Sequence, residues 1–498
     1  MKNIASLILL TWVATFCLAQ DQPSGSLPRS TPEEQGVSSH ALLQFVEEAD
    51  KKIDVMNSIM IVRHGQVITE GWWAPYDSKT RHELYSLSKS FTSTAVGLAI
   101  TEGKLSLDDQ VLKFFPDDAP AEPSNNLKNM RVRDLLCMST GHQSEPALAA
   151  STQPWTKTFL AHPVPHKPGT HFMYNTPATY MLSAIVQKVT GKTVLEYLQP
   201  RLFEPLGIQN PTWGMSPQGT SLGGYGLNVR TEDIAKFGQL YLQKGKWGER
   251  QLLPATWVTQ ATSRQTSNGS SPSSDWDQGY GYQFWRCRHG CYRGDGAFGQ
   301  FCIVMPEQDA VVVVTSGVKD MQAILNLVWD KLLPEMKAGS LSADSEGLQK
   351  LKARLASLSV PVLAPSVADA VLEKVSGKKY QFPANDQKIE KLGVELNKST
   401  HKTTLSIQNN GSKEQTLICG EGNWEKCRLS YCPFPEQEAA VCGSWKAKDV
   451  FTVKVCFYET PFILTLTMKF SDSKLSVETQ RNVGFGSTRQ KELVGKSE

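Results

Sequence analysis

Ser86-Leu-Ser-Lys89 sets a hydroxyl and an amine three residues apart. On a helix this spacing puts both on one face, so the Lys89 amine can reach Ser86, and a serine in the first turn sits in the positive field of the helix N-terminus. Burial makes such a lysine useful. Desolvation penalises the ammonium, and the neutral amine can then act as base for an otherwise weak nucleophile. The spacing alone is common, since Ser316, Ser376, Ser399 and Ser471 also have Lys three residues on. Context separates Ser86: it precedes Phe91 to Ile100, apolar nearly all round, with Gly103 just beyond. That pattern describes a helix inside a domain, where a lysine is costly unless it is used.

The elements around this helix alternate between strand and helix patterns from about Ser39 to Gly317. Ser58 to Arg63 reads as a buried strand, turned at His64-Gly65 into a second through Val67-Ile68-Thr69, and Gln300 to Met305 with Ala310 to Thr315 reads as a hairpin. Helical runs fit Tyr180 to Val189, stopped by Gly191, and Thr231 to Gln243, with Thr231 as cap. The expected class is α/β with a mainly antiparallel sheet.

Tyr85-Ser-Leu-Ser-Lys-Ser-Phe-Thr-Ser93, followed by Gly103-Lys-Leu-Ser-Leu-Asp-Asp109, closely resembles the nucleophile region of the serine β-lactamase-related family, which includes class C β-lactamases, D-alanyl-D-alanine carboxypeptidases and related esterases. Arg133 to Gly141, Pro168 to Tyr174, Val189-Thr-Gly191 and Leu202 to Gly207 continue the match in the family's order, over roughly residues 30 to 335. The resemblance implies a β-lactamase/transpeptidase-like fold, an antiparallel sheet flanked by helices plus a helical subdomain, with Ser86 in the cleft between them. It makes Tyr174 the tyrosine of a Tyr-x-Asn element that helps activate the serine or protonate the leaving group, provided a nearby ammonium lowers its pKa. Here the run is Tyr174-Asn175-Thr176, so the asparagine falls one residue early and Thr176 holds its expected place.

The family's third element, a Lys-Thr-Gly or His-x-Gly strand completing the oxyanion hole, corresponds to Arg293-Gly-Asp-Gly-Ala-Phe-Gly-Gln300. Ser86, Gly296 and Ala297 are then the oxyanion positions. Asp295 stands where a cation or histidine is usual and would repel a substrate carboxylate. Arg293, on the same face of the strand, either restores the positive charge or pairs with Asp295. Gly294, Gly296 and Gly299 fit a close approach of backbone to ligand, or a bulge. His142 is either a cleft residue or a structural histidine.

Lys+Arg at 52 nearly cancels Asp+Glu at 49, so nothing in the charge suggests a nucleic-acid partner. Lys2, the apolar run Ile4 to Phe16 and Cys17-Leu-Ala19 read as an export signal over residues 1–19, cleaved near Gln20, and no later run is apolar enough to span a bilayer. A secreted, extracellular protein of eukaryotic origin is expected, with glycan acceptors at Asn268, Asn397 and Asn410 and a disulfide between Cys287 and Cys291. Cys419, Cys427, Cys432 and Cys442 also fit disulfides, and their spacing does not suggest zinc. Residues 336–370 read as a helical or partly flexible linker. Residues 371–495, dominated by period-two runs, read as an all-β sandwich or barrel in which nothing looks catalytic.

The expected activity is hydrolysis of a small ester, amide or peptide through a Ser86 acyl-enzyme, with Lys89 as base and Tyr174 as proton relay, needing neither metal nor organic cofactor. The alternatives are an acyltransferase using the same intermediate and a non-catalytic binding protein on this scaffold.

Overall fold

The computed structural model describes residues 25–365, 375–397 and 402–498, and the expected export signal lies outside them. Six antiparallel strands build the first sheet: β1 (Met56–Arg63), β2 (Gln66–Trp72), β3 (Trp285–Arg286), β4 (Tyr292–Gly296), β5 (Gln300–Met305) and β6 (Ala310–Ser316). Their spatial order is β2-β1-β6-β5-β4-β3. Successive side chains point to opposite faces. Ile59, Ile61, Ile303, Val312 and Val314 pack with helix α1 (Ser39–Lys52), while Met60, Val62, Val304, Val311 and Val313 share a core with α2 (Ser88–Thr101), α3 (Thr176–Thr190) and α4 (Thr231–Leu242). Both faces are covered, so a run such as Val311–Val314 has no call for polar alternation.

The helix ends show where side-chain chemistry outranks the simple pattern. Helix α3 starts four residues before the expected Tyr180, because the Asn175 Oδ1 accepts from the Ala178 N–H at 3.1 Å, and it stops at Gly191 with φ 69°. Thr231 does not cap α4. The Asp233 carboxylate accepts from the Arg230 N–H at 3.0 Å, and the Thr231 hydroxyl turns instead to Ser58 Oγ at 2.8 Å.

Residues expected to form a linker include helix α5 (Ser345–Ala356), and Leu351, Leu358 and Val360 are buried in the α1-side core. The strap is pinned to the sheet domain by Ala74 N–H to Leu358 O at 3.0 Å and Val360 N–H to Ala74 O at 2.9 Å. Beyond it, ten antiparallel strands from Lys379–Gln381 to Leu493–Ser497 form one strongly curled sheet. Its two outermost strands, Gln415–Cys419 and Glu425–Tyr431, are joined by the Gln415 amide, which accepts from Ser430 N–H at 2.8 Å and donates to Ser430 O at 3.2 Å. Gly420 bridges Cys442 nearby, so the sheet is a nearly closed barrel.

The barrel docks on the sheet domain next to Ser86. Tyr76 donates to Thr460 O at 3.0 Å, Glu83 N–H to Glu459 O at 2.9 Å, and Asn482 Nδ2 to Gly317 O at 3.1 Å. Phe462 and Phe485 lie 6.3 and 6.0 Å from the Tyr85 ring.

The expected disulfide between Cys287 and Cys291 is not formed, and every cysteine among the described residues carries a free thiol. Backbone pairing brings the two together, Cys287 N–H to Cys291 O at 2.9 Å, but Cys287 Sγ accepts from Arg293 Nη1 at 3.1 Å and Cys291 Sγ turns to His289 O. Of the sequons, Asn410 is exposed and Asn397 ends a strand. Asn268 Oδ1 accepts from Gly279 N–H at 2.7 Å and its Nδ2 is buried, so a glycan there needs the loop to open.

If the strap is part of the core, Leu351→Ala should lower unfolding free energy by about 2–5 kcal/mol in a denaturant titration, whereas a free linker would tolerate it.

Candidate active site

A single 3₁₀ turn, Tyr85–Leu87, carries Ser86 directly into α2, whose first turns are buried. The turn is fixed from several sides. Ser88, Thr92 and Ser93 bond to Leu227 N–H, Gly223 O and Tyr282 O at 3.2, 2.8 and 2.7 Å, so hydroxyls replace the apolar contacts a plain amphipathic helix would make. Tyr85 has φ 48°, a left-handed conformation that costs a tyrosine on the order of 1–3 kcal/mol and persists where packing over-determines it. Edge-to-face contact with Phe298 at 5.5 Å supplies part of that packing.

Lys89, one turn on, is 1% exposed, and its Nζ lies 2.9 Å from Ser86 Oγ, 2.9 Å from Gly224 O and 3.3 Å from Thr176 Oγ1. Burial pulls its pKa from the ordinary lysine value down to about 7, and the carboxylates of Glu145 and Asp295 oppose the fall. Gly224 can present its carbonyl here because it lacks a Cβ, which would meet Thr176 Cγ2 at 2.7 Å.

Tyr174 stacks on Trp285 at 5.3 Å, and the Lys89 ammonium position is 5.0 Å from its ring centroid. Its phenol is not lowered toward neutrality. Burial raises its pKa, Ser86 and Arg293 lower it, and Asp295 and Glu145 add to the rise, so the hydroxyl keeps its proton. The displaced asparagine is explained: Asn175 is the α3 cap, and Thr176 stands beside Lys89 in its place.

Strand β4 runs alongside this turn, and two of its glycines face the residues flanking Ser86. A Cβ on Gly294 would meet Leu87 Cδ1 at 2.1 Å, and one on Gly296 would meet Leu84 O at 2.1 Å. The small residues therefore serve the approach of the strand to the helix start, with Gly294 against Leu87 and Gly296 against Leu84 on either side of Ser86 in the chain. Gly299 serves a different contact: with φ 90° in the turn to β5, a Cβ on it would meet Ser316 Oγ at 2.1 Å.

Arg293 is fully buried and pairs with Asp295 at 2.8 Å, which resolves the alternatives for Arg293 in favour of pairing. Arg293 Nη1 also donates to Asp275 O at 2.8 Å, and its guanidinium lies 4.5 Å from the Trp276 ring. The guanidinium offsets the carboxylate, which still acts on Lys89 and Tyr174 through its charge. His142 is buried, with Nδ1 2.9 Å from Thr140 Oγ1 and its ring against Phe159, and burial takes its pKa down to about 4. Among the described residues its hydrogen bonds go to Thr140 and Asn175 and not to Ser86 or Lys89.

Two participants are missing from the sequence reading. Glu145, exposed in the loop after Gly141, accepts from Thr176 N–H at 2.6 Å and acts on both Lys89 and Tyr174 through its charge. Gly224 supplies the carbonyl that holds Lys89. Neither has a local signal: one is a loop carboxylate and the other a glycine among several.

Comparison with known proteins gives the same placement. The Beta-lactamase family model matches residues 49–323. An Escherichia coli (strain K12) protein named "Putative D-alanyl-D-alanine carboxypeptidase" is 24% identical over 285 residues, 48% of this chain, and the match spans 65% of that protein's own length. The 6-aminohexanoate-dimer hydrolase of Paenarthrobacter ureafaciens is 24% identical over 316 residues, 58% of this chain and 80% of its own. Among solved structures, EstCE1, described as a hydrolase with promiscuous acyltransferase activity, superposes with a TM-score of 0.50 at 18% identity, covering 58% of this chain and 99% of EstCE1, a likeness of fold. The matched span contains Ser86, Lys89, Tyr174 and all six strands of the first sheet, and the chain belongs to the Beta-lactamase family.

Proposed function

We propose that the chain is a secreted serine hydrolase that opens a small ester or amide through an acyl-enzyme on Ser86. The observation that carries this is the set of three oxygens around Lys89 Nζ. A neutral amine has two N–H donors and one lone pair. With the donors spent on Gly224 O and Thr176 Oγ1, the lone pair is left to Ser86, the orientation a general base needs. As the Ser86 Oγ–carbonyl bond forms, its proton passes to Lys89. The tetrahedral oxyanion takes hydrogen bonds from the Ser86 and Ala297 amides. Tyr174, still a phenol, hands a proton to the departing oxygen or nitrogen as its bond to the carbonyl breaks and is re-protonated through Lys89. Water then cleaves the ester by the reverse proton route. A binding protein without chemistry would have no reason to keep a fully buried amine against a hydroxyl.

The internally matched Arg293–Asp295 pair supports substrates without a carboxylate, because no free cation is left on β4 to attract one. Export rests on residues 1–19, and among the described residues no helix is long and apolar enough to cross a membrane.

Labelling by a fluorophosphonate probe should modify the native chain at Ser86 and leave Ser86→Ala unmodified; equal labelling, or none, would refute the assignment. The kcat/KM for a neutral ester should climb as pH rises through about 7, where Lys89 loses its proton, and Glu145→Gln should move that midpoint down by removing a carboxylate that favours the ammonium. Asp295→Asn strands a buried guanidinium and should cost about 3–5 kcal/mol in a denaturant titration. Asp295→Lys, which would help anionic substrates at an open cation position, should instead fail to fold beside Arg293.

A further inference from the structure

The cleft has an unassigned compartment on its α3 side. A cavity of about 330 Å³ opens next to Thr176, with Leu148, Trp155, Tyr180, Leu222 and Tyr225 as its walls and Glu145 at its rim. It adjoins Ser86 through one residue: Thr176 lines it and also lies 3.3 Å from Lys89 Nζ, which is 2.9 Å from Ser86 Oγ. Two of the walls brace each other. Trp155 and Tyr180 meet edge-to-face at 5.1 Å, and the Tyr180 hydroxyl is held by Ser216 Oγ at 3.2 Å. Its size is at the lower end for small-molecule sites, suited to one compact acyl side chain.

Charge makes the pocket selective. Glu145 is the one charged residue of its lining, and among the described residues it forms no ion pair with Lys, Arg or His. Asp295 is already matched by Arg293. One Glu145 oxygen is committed to Thr176 N–H, which fixes the carboxylate at the pocket mouth. An apolar chamber with a fixed, unmatched carboxylate at its mouth recognises a group that is apolar at one end and cationic near the carbonyl.

We propose that this pocket is the acyl subsite and that its occupant is an apolar aminoacyl group, its side chain among Leu148, Trp155 and Tyr180 and its ammonium facing Glu145. This rests on Ser86 being the acylated residue. The ester or amide carbonyl lies toward Ser86, and the alcohol or amine departs away from the pocket.

Turnover of 4-nitrophenyl esters of leucine, N-acetyl-leucine and 4-methylpentanoic acid tests it, since the three share a side chain and differ in the charge next to the carbonyl. The kcat/KM ratio of leucyl to 4-methylpentanoyl ester should be tenfold or more, N-acetyl-leucine should behave like the uncharged acid, and Glu145→Gln should bring the ratio close to one. Taking the ratio cancels any effect of Glu145 on Lys89. Leu148→Trp, which fills the chamber, should depress both leucyl and 4-methylpentanoyl turnover relative to an acetyl ester while fluorophosphonate labelling persists. A ratio near one in the native chain, or one unmoved by Glu145→Gln, would overturn the subsite. Absence of Ser86-dependent labelling would instead overturn the acyl-enzyme itself.

Discussion

Everything at this site depends on keeping one amine dry. Lys89 sits inside a helix-packed core with three oxygens around its nitrogen, and the removal of water brings its proton affinity near neutrality. The surrounding architecture can be read as what this requires. The hydroxyls of α2 tie the helix to neighbouring backbone on two sides, Gly224 brings a carbonyl in close, and Thr176 is delivered by a helix whose start is set by the Asn175 cap. An ammonium in the same place would lose solvation that three neutral oxygens only partly restore.

The opposite wall follows another logic. Strand β4 must come within van der Waals contact of the nucleophile turn, and two glycines on one face permit it. Its buried ion pair is matched internally, with the Arg293 guanidinium stacked against Trp276. Such a pair adds little net stability but is costly to break, so it acts as a fixed register mark for the strand.

The nucleophile helix was legible because it combines a motif with an environment: S-x-x-K recurs elsewhere in the chain, but only at Ser86 does it open a long apolar helix. The alternating strands and the all-β character of the C-terminal part were legible for the same reason, since period and burial agree there. What could not be read depends on contacts between distant segments. Glu145 reaches Thr176 across 31 residues and Gly224 reaches Lys89 across 135, and neither separation leaves a mark in local composition. The condition set for Tyr174, a pKa lowered by a nearby ammonium, is not met, because burial dominates and the charges facing it are carboxylates as much as cations. The Cys287–Cys291 spacing suggested a disulfide, but Arg293 reaches into the same corner and takes one sulfur as a hydrogen-bond partner.

The barrel contributes no group to the proposed chemistry, yet its rings contact the backbone that carries it. Phe462 and Phe485 flank Tyr85, the residue in left-handed conformation before Ser86, and Phe298, which follows Ala297. The Ser86 and Ala297 amides are thus each one residue from a side chain seated on the barrel. The two halves are in that sense not interchangeable modules: a chimera with a foreign C-terminal domain would keep Ser86 and Lys89 while losing the surface against which their neighbours Tyr85 and Phe298 rest.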